Sequence, residues 1–120
     1  MRLIWIAGFV IGARNHAADV LGRGWLPYDY APLALNWFWT MLLPLDVLVG
    51  ALLALRQRSS VALGVVVILA DVAVNTWYAY RTDWLDLLRA LQWQSLFCGF
   101  VIGTAPYLWR RQTETLRHNG

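Results

Sequence analysis

Apolar residues run along the chain in four long segments, which are separated by short polar stretches. Each segment is close to the roughly 20 residues that a helix needs to cross about 30 Å of hydrocarbon. The polar stretches are short and carry glycine, proline, serine or arginine, so successive helices should be antiparallel neighbours. The pattern predicts an all-α integral membrane fold, a four-transmembrane-helix antiparallel bundle with helices at about 3–21, 36–55, 61–80 and 90–109.

The second apolar segment contains two residues that such a helix rarely holds. Pro44 and Asp46 lie near the middle of the run from Leu35 to Leu55. Proline removes one helix hydrogen bond, and an ionised carboxylate in a membrane helix costs roughly 2.5 to 3.5 kcal/mol on insertion scales. Asp46 therefore needs a partner, a proton or a ligand. In the last segment, Pro106 is expected to bend or end its helix.

Two other helices bring polar groups to a similar depth. His16 and Asp19 lie on the face of the first helix that glycines mark as packed, and Asp71 and Asn75 share one face of the third. Lipid cannot satisfy such groups, so we expect them to face one another or a water-filled cavity. Carboxylates that share an apolar pocket cannot all be ionised, so at least one of Asp46 and Asp71 should hold a proton at neutral pH. A cationic amine entering the pocket would replace that proton.

Composition supports the membrane assignment. The chain has 120 residues, 59% hydrophobic and 14% charged, and its mean hydropathy of +0.47 is too high for a soluble fold of this size. A single domain over residues 1–120 is expected. The net charge of +3 comes from arginines at chain ends and in loops, which argues against a nucleic-acid partner. One cysteine and one intramembrane histidine predict no metal site, and no cofactor is expected.

The arginines also indicate an orientation. Most of them lie near the termini and in the second connector, whereas those of the first and third connectors stand beside acidic residues. The positive-inside rule then places both termini in the cytoplasm. Tryptophans concentrate near the outer interface, which is typical of an interfacial girdle, although some of them, such as Trp39 and Trp77, could instead roof a ligand cavity. Arginine without lysine, together with many alanines, favours a GC-rich bacterium and hence a bacterial inner membrane.

Four short motifs resemble the EXPERA superfamily, which includes the emopamil-binding sterol isomerase and the sigma-2 receptor. The first is an acid followed by Leu-Pro, and the second is a loop acid and a mid-helix acid at the interval found in the receptor. The third resembles the Gly-Asp-Val of the isomerase, and the last matches the Ala-Pro-Tyr-Leu of the receptor. In this chain they are Asp19 with Leu26-Pro27, Asp29 with Asp46, Ala70-Asp71-Val72, and Ala105-Pro106-Tyr107-Leu108.

The resemblance implies a four-helix membrane fold with a pocket open sideways to lipid, ligands that are sterols or cationic amphiphiles, and often a homodimer. It implies that Asp46 is the ammonium partner or acid, that Asp29 supports the pocket entrance and that Tyr107 lines the pocket. Two features depart from the isomerase. His16 and Asp19 are three residues apart where its His and Glu are four apart, and its last-helix Asn-x-x-Trp is replaced by 103–106, Gly-Thr-Ala-Pro.

The leading hypothesis is an integral membrane protein with an intramembrane acidic pocket that binds a lipid, a sterol-like molecule or a cationic amphiphile. The candidate catalytic residues are Asp46, Asp71 and His16: a protonated acid would donate to a lipophilic alkene, and a second group would remove a proton. One alternative is a small proton-coupled multidrug-type exporter, although such exporters keep the key acid in the first helix. Another is a structural membrane subunit whose polar residues only hydrogen-bond neighbouring helices. The candidate ligand-binding residues are Asp19, Asp29, Asp46, Asp71, Asn75, Trp39, Trp77 and Tyr107.

Overall fold

The structure, a computed structural model, describes residues 1–119, with side chains at residues 1–114 and 117. In chain order the helices are α1 (Arg2–Arg23), α2 (Leu33–Ala54), α3 (Ser59–Thr82) and α4 (Leu85–Asn119). The prediction of an all-helical chain with four helices is confirmed. Two of them, α2 and α3, are long and apolar enough to cross a membrane, by length and composition. Four membrane spans and cytoplasmic termini stay predictions.

The chain divides into two compact units, residues 2–55 and the residues from 56 onward. The first hairpin consists of α1, α2 and the connecting segment 24–32. The second hairpin consists of α3 and α4, which are joined by Asp83 and Trp84. Within the first hairpin α1 packs against α2, and within the second α3 packs against α4.

The first hairpin is held together by one seam of buried residues. On α2 the buried positions follow the alternating three- and four-residue spacing of helices packed side by side. At the far end, the guanidinium of Arg2 donates to the carbonyl oxygens of Leu53 and Ala54 at 3.5 and 3.4 Å, where α2 leaves its last carbonyls without helix donors. The seam comprises Trp5, Phe9 and Ala13 on α1, with Trp39, Leu42, Asp46, Val49 and Leu53 on α2.

The second hairpin follows the same spacing. Its seam is apolar in the middle and polar near both ends, where side chains hydrogen-bond from α3 to α4. Asp83 ends α3 in the left-handed conformation with φ of 53°, which aspartate tolerates better than most residues. The buried positions are Val61, Gly64, Ile68, Asn75 and Tyr78 on α3, with Leu91, Cys98, Val101, Leu108 and Gln112 on α4.

The last helix is much longer than the sequence predicted. It begins at Leu85 instead of about residue 90 and continues past residue 109 to Asn119. Pro106 lies inside α4, so the prediction that it could end the helix is wrong. A proline removes one backbone donor but leaves the following turns free to form, and the residues after it include the good helix formers arginine, glutamine, glutamate and leucine.

Candidate functional site in the first hairpin

Asp46 occupies a seam position on α2 where the spacing calls for an apolar residue. Its side chain is only 7% exposed, and the seam residues on either side of it are Leu42 and Val49. Across the seam lies Gly12 of α1, where an added Cβ would stand 2.7 Å from Oδ2 of Asp46 and 3.4 Å from its Cγ. The missing side chain at Gly12 therefore makes the space that the carboxylate fills. This contact places an acid against the backbone of α1, near the middle of both helices.

One turn further along α1, a chain of hydrogen bonds joins that helix to the connecting segment. The hydroxyl of Tyr28 donates to Oδ2 of Asp19 at 2.7 Å, and the hydroxyl oxygen of Tyr28 lies 2.8 Å from Nδ1 of His16. A tyrosine hydroxyl has one hydrogen, so Nδ1 of His16 must be the donor to Tyr28. In neutral His16 this leaves the lone pair on Nε2, which is the atom able to accept a proton.

Tyr28 is held in place by Asn36, in the first turn of α2. The Oδ1 of Asn36 accepts from the backbone N–H of Tyr28 at 3.0 Å, and its Nδ2 donates to the carbonyl of Leu26 at 3.0 Å. Thr40, which is fully buried, donates to the carbonyl of Asn36 at 2.7 Å. The ring of Tyr28 also meets Trp39 edge to face, with centroids 5.4 Å apart. These contacts hold the connecting segment in a defined conformation against α2, where it covers the His16 end of the seam.

The electrostatics keep Tyr28 in its neutral, donating form. Burial, and after it the hydrogen bond to Asp19, raise the pKa of Tyr28 well above the ordinary tyrosine value. The hydroxyl therefore stays protonated across the physiological range. It can bridge an acceptor and a donor but cannot itself act as an anion there.

In the second hairpin, Asp71 belongs to a different polar group. The Nδ2 of Asn75 donates to Oδ1 of Asp71 at 2.8 Å and to Oε1 of Gln94 at 3.0 Å. The first of these bonds joins successive turns of α3 and the second crosses to α4. Asp71 and Asn75 thus form the one-faced pair expected from their spacing, and Asn75 also links the two helices. A pocket shared by Asp46 and Asp71 stays a prediction.

The other candidate residues lie in varied surroundings. Asp29 is exposed on the connecting segment, whereas Trp39 is buried against Tyr28. Trp77 and Tyr107, both in the second hairpin, are about half exposed. Each of these two rings lies beneath a guanidinium, at 5.4 Å for Arg81 over Trp77 and 5.9 Å for Arg111 over Tyr107.

Three residues of the site carry roles that the sequence did not assign. The sequence pattern singles out neither Tyr28 nor Asn36, and the glycines of α1, Gly12 among them, indicate only a packed helix face. The sequence signal for Tyr28 is weak, since it is one of several aromatic residues in the segment. Within the described residues, no group of three histidine, cysteine or acidic side chains is arranged to hold a metal ion.

The comparisons with known proteins give no relative. No protein-family description, no curated protein and no solved structure matches the chain.

Proposed function

We propose that this chain is an integral membrane protein whose first hairpin binds a lipophilic ligand through Asp46, the ligand being a cationic amphiphile, a sterol-like molecule or another lipid. The observation that carries the proposal is the buried carboxylate of Asp46, set against Gly12 in a helix apolar enough to cross a membrane. In such surroundings a carboxylate gains most from a nearby cation. An ammonium group attached to an apolar tail would supply that cation, and burial of the tail would help to offset the cost of removing the charge from water.

We further propose that the same site can support proton transfer. His16 has its Nδ1 committed to Tyr28, so its Nε2 is the available base. A protonated Asp46 would add a proton to one carbon of a lipophilic alkene, and His16 would remove a proton from another carbon, so that the double bond moves. This is isomerase-type acid–base chemistry. The proposed relationship to the EXPERA superfamily rests on the four motifs, and the proposed homodimer comes with it. The proposed location in a bacterial inner membrane rests on the composition, which has arginine without lysine and many alanines.

The binding proposal is tested with the purified full chain in a neutral detergent. Dodecyltrimethylammonium is the cationic probe and dodecanol is the neutral control. At concentrations well above the Kd of the probe, dodecyltrimethylammonium should raise the melting temperature of the parent protein by several degrees. The Asp46→Asn variant should lose most of that increase. The matched control is Asp86→Asn, which removes an acid whose side chain is 83% exposed and should leave the increase unchanged.

Equal stabilisation of the parent and Asp46→Asn by the amine would refute the proposal. Proton-driven dye efflux in proteoliposomes that is lost in Asp46→Asn would instead favour the exporter. A structural role has a specific observation in its favour for Asp71, because Asn75 ties it to Gln94 across the hairpin. Asp71→Asn should therefore lower the melting temperature and leave the increase caused by the amine intact.

A further inference from the structure

The C-terminal part of α4 carries a groove that takes no part in the site around Asp46. The groove has a volume of about 250 Å³ and begins where the predicted apolar segment stops, at residue 109. Its walls combine an aromatic ring, two cations, one anion and one hydroxyl. The lining residues are Trp109, Arg110, Thr113, Glu114 and Arg117.

The charges in the groove alternate along one face of α4. Arg110, Glu114 and Arg117 are four and three residues apart, so successive turns of the helix present a cation, an anion and a cation. Guanidinium groups suit phosphate, to which they can donate two parallel hydrogen bonds. The carboxylate of Glu114 suits an ammonium group. A purely anionic ligand would place its negative charge beside Glu114.

Thr113 adds a second acceptor. Its hydroxyl donates to the carbonyl of Trp109 at 2.8 Å, so the hydrogen is committed and Oγ1 offers only its lone pairs. The groove therefore presents donors for an anion and, beside them, two acceptors for a group that carries N–H bonds. A trimethylated ammonium has no N–H bond and could not use these acceptors.

Trp109 marks the depth at which the groove would lie. The ring is 40% exposed, and the guanidinium of Arg58 stands 5.3 Å from its centroid. Tryptophan and arginine are typical of the boundary between hydrocarbon and headgroups. If the apolar part of α4 spans the bilayer, the groove lies at the level of lipid headgroups.

We propose that this groove binds the headgroup of a phosphatidylethanolamine-type lipid. Arg110 and Arg117 hold the phosphate, while Glu114 and the Oγ1 of Thr113 accept hydrogen bonds from the primary ammonium. The inference rests on the membrane location given in the proposed function, but it does not depend on the ligand of Asp46. The groove would be a second site of a different chemical class, which binds a zwitterionic headgroup instead of a cationic amphiphile.

The test measures lipid retention by the full chain after delipidation and reconstitution in nanodiscs that contain equal parts of phosphatidylethanolamine, phosphatidylcholine and phosphatidylglycerol. Native mass spectrometry should find the ethanolamine lipid retained about three- to fivefold more than the choline lipid, the size expected for exposed ion pairs. Glu114→Gln should abolish that preference. Arg110→Gln should reduce retention of both lipids by a similar factor.

The matched control is Arg81→Gln at the other end of the same hairpin. The guanidinium of Arg81 lies 5.4 Å from the ring centroid of Trp77, much as that of Arg58 lies 5.3 Å from the centroid of Trp109. Arg81 is far along the chain from the residues that line the groove. The control variant should keep the preference and should retain both lipids as strongly as the parent does. The groove variants change side chains that are exposed, so their melting temperatures should stay near that of the parent.

Equal retention of the two lipids by the parent, or an unchanged preference in Glu114→Gln, would overturn the proposal. Displacement of the lipid by equimolar soluble glycerophosphoethanolamine would overturn it too, because the ligand would then be a water-soluble phosphoester. Failure here is separate from failure at Asp46. Glu114→Gln should retain the amine-induced increase in melting temperature, and Asp46→Asn should retain the lipid preference.

Discussion

The carboxylate of Asp46 fills the space between α1 and α2 that a side chain at position 12 would need. This contact predicts the effect of adding a single methyl group to Gly12. Gly12→Ala would place a Cβ 2.7 Å from Oδ2 of Asp46, closer than real contacts allow. The carboxylate or the helix must move, and we expect the free energy of unfolding to fall by about 1 to 3 kcal/mol. The measurement is the melting temperature of the full chain in neutral detergent.

Two comparisons isolate the contact. Gly99→Ala is the matched control, because nothing lies within 4 Å of a Cβ there, and alanine is the better helix former, so this variant should be neutral or slightly more stable. In an Asp46→Ala background the carboxylate is gone, and the cost of Gly12→Ala should largely disappear. A cost that persists in that background would show that Gly12 is required for another reason.

Tyr28 gives a prediction about alkaline pH. Its pKa is raised in the folded chain, first by burial and then by the hydrogen bond to Asp19, above the ordinary value of 10.0. Above that pH the unfolded chain loses the Tyr28 proton while the folded chain keeps it, so the free energy of unfolding should fall as pH rises beyond about 10. Tyr28→Phe should show a shallower fall in unfolding titrations from pH 9 to 11.

The control for this titration is Tyr80→Phe, which removes a hydroxyl from a side chain that is 71% exposed. It should follow the parent curve. A parent curve that is flat above pH 10, or identical slopes in the parent and Tyr28→Phe, would contradict the role assigned to this hydroxyl. At neutral pH Tyr28→Phe should still be the less stable variant, because His16 and Asp19 lose their bridge.

At the scale of elements, the connecting segment 24–32 depends on one side chain of α2. Asn36 holds the backbone of Tyr28 and of Leu26 at once. Asn36→Ala should speed amide hydrogen exchange at Tyr28 by roughly tenfold, because that N–H loses its acceptor. Amide hydrogen exchange within α2 should change little.

Asn15→Ala serves as the control for this exchange experiment, because Asn15 is exposed on α1. It should leave the exchange rate at Tyr28 unchanged. If Asn36→Ala accelerates exchange throughout α1 and α2 alike, the asparagine stabilises the whole hairpin and not the segment in particular.

The helices could be predicted from the sequence because hydrophobic length and polar interruptions are local properties. The three- and four-residue spacing that puts Asp46 in the seam can likewise be counted along the chain. The length of α4 was underestimated because its last ten residues are polar except for Leu116, and helix propensity, not hydrophobicity, decides their state. Tyr28 could not be predicted as a bridge. Its place depends on how a loop folds back over α1, and nothing in the local pattern fixes that.

For the molecule as a whole, the number of membrane spans can be measured. Among the described residues, α2 and α3 are the helices that meet the length and composition requirement for a span. With four spans, Gln57 and Arg117 lie on one side and Asp86 on the other. We expect single cysteines at Gln57 and Arg117, introduced into a Cys98→Ala background, to be shielded from an impermeant maleimide in intact cells. A cysteine at Asp86 should be labelled.

The alternative arrangement gives a different pattern. If only α2 and α3 cross, Arg117 lies on the side of Asp86 and the two cysteines should label together, opposite to Gln57. Labelling after the cells are opened should reach all three positions and serves as the positive control. Opposite labelling of Gln57 and Arg117 would exclude the four-span topology.

The hydrogen bonds from His16 through Tyr28 to Asp19 also form a continuous path along which a proton could pass in one direction. When His16 takes up a proton at Nε2, its Nδ1 proton can pass to the Tyr28 oxygen while the Tyr28 proton passes to Asp19, and no heavy atom needs to move. The proton that reaches Asp19 is then not the one that arrived at His16. If His16 is the base of the proposed isomerisation, the proton that it removes can leave in this way through the carboxylate at the loop end of the hairpin.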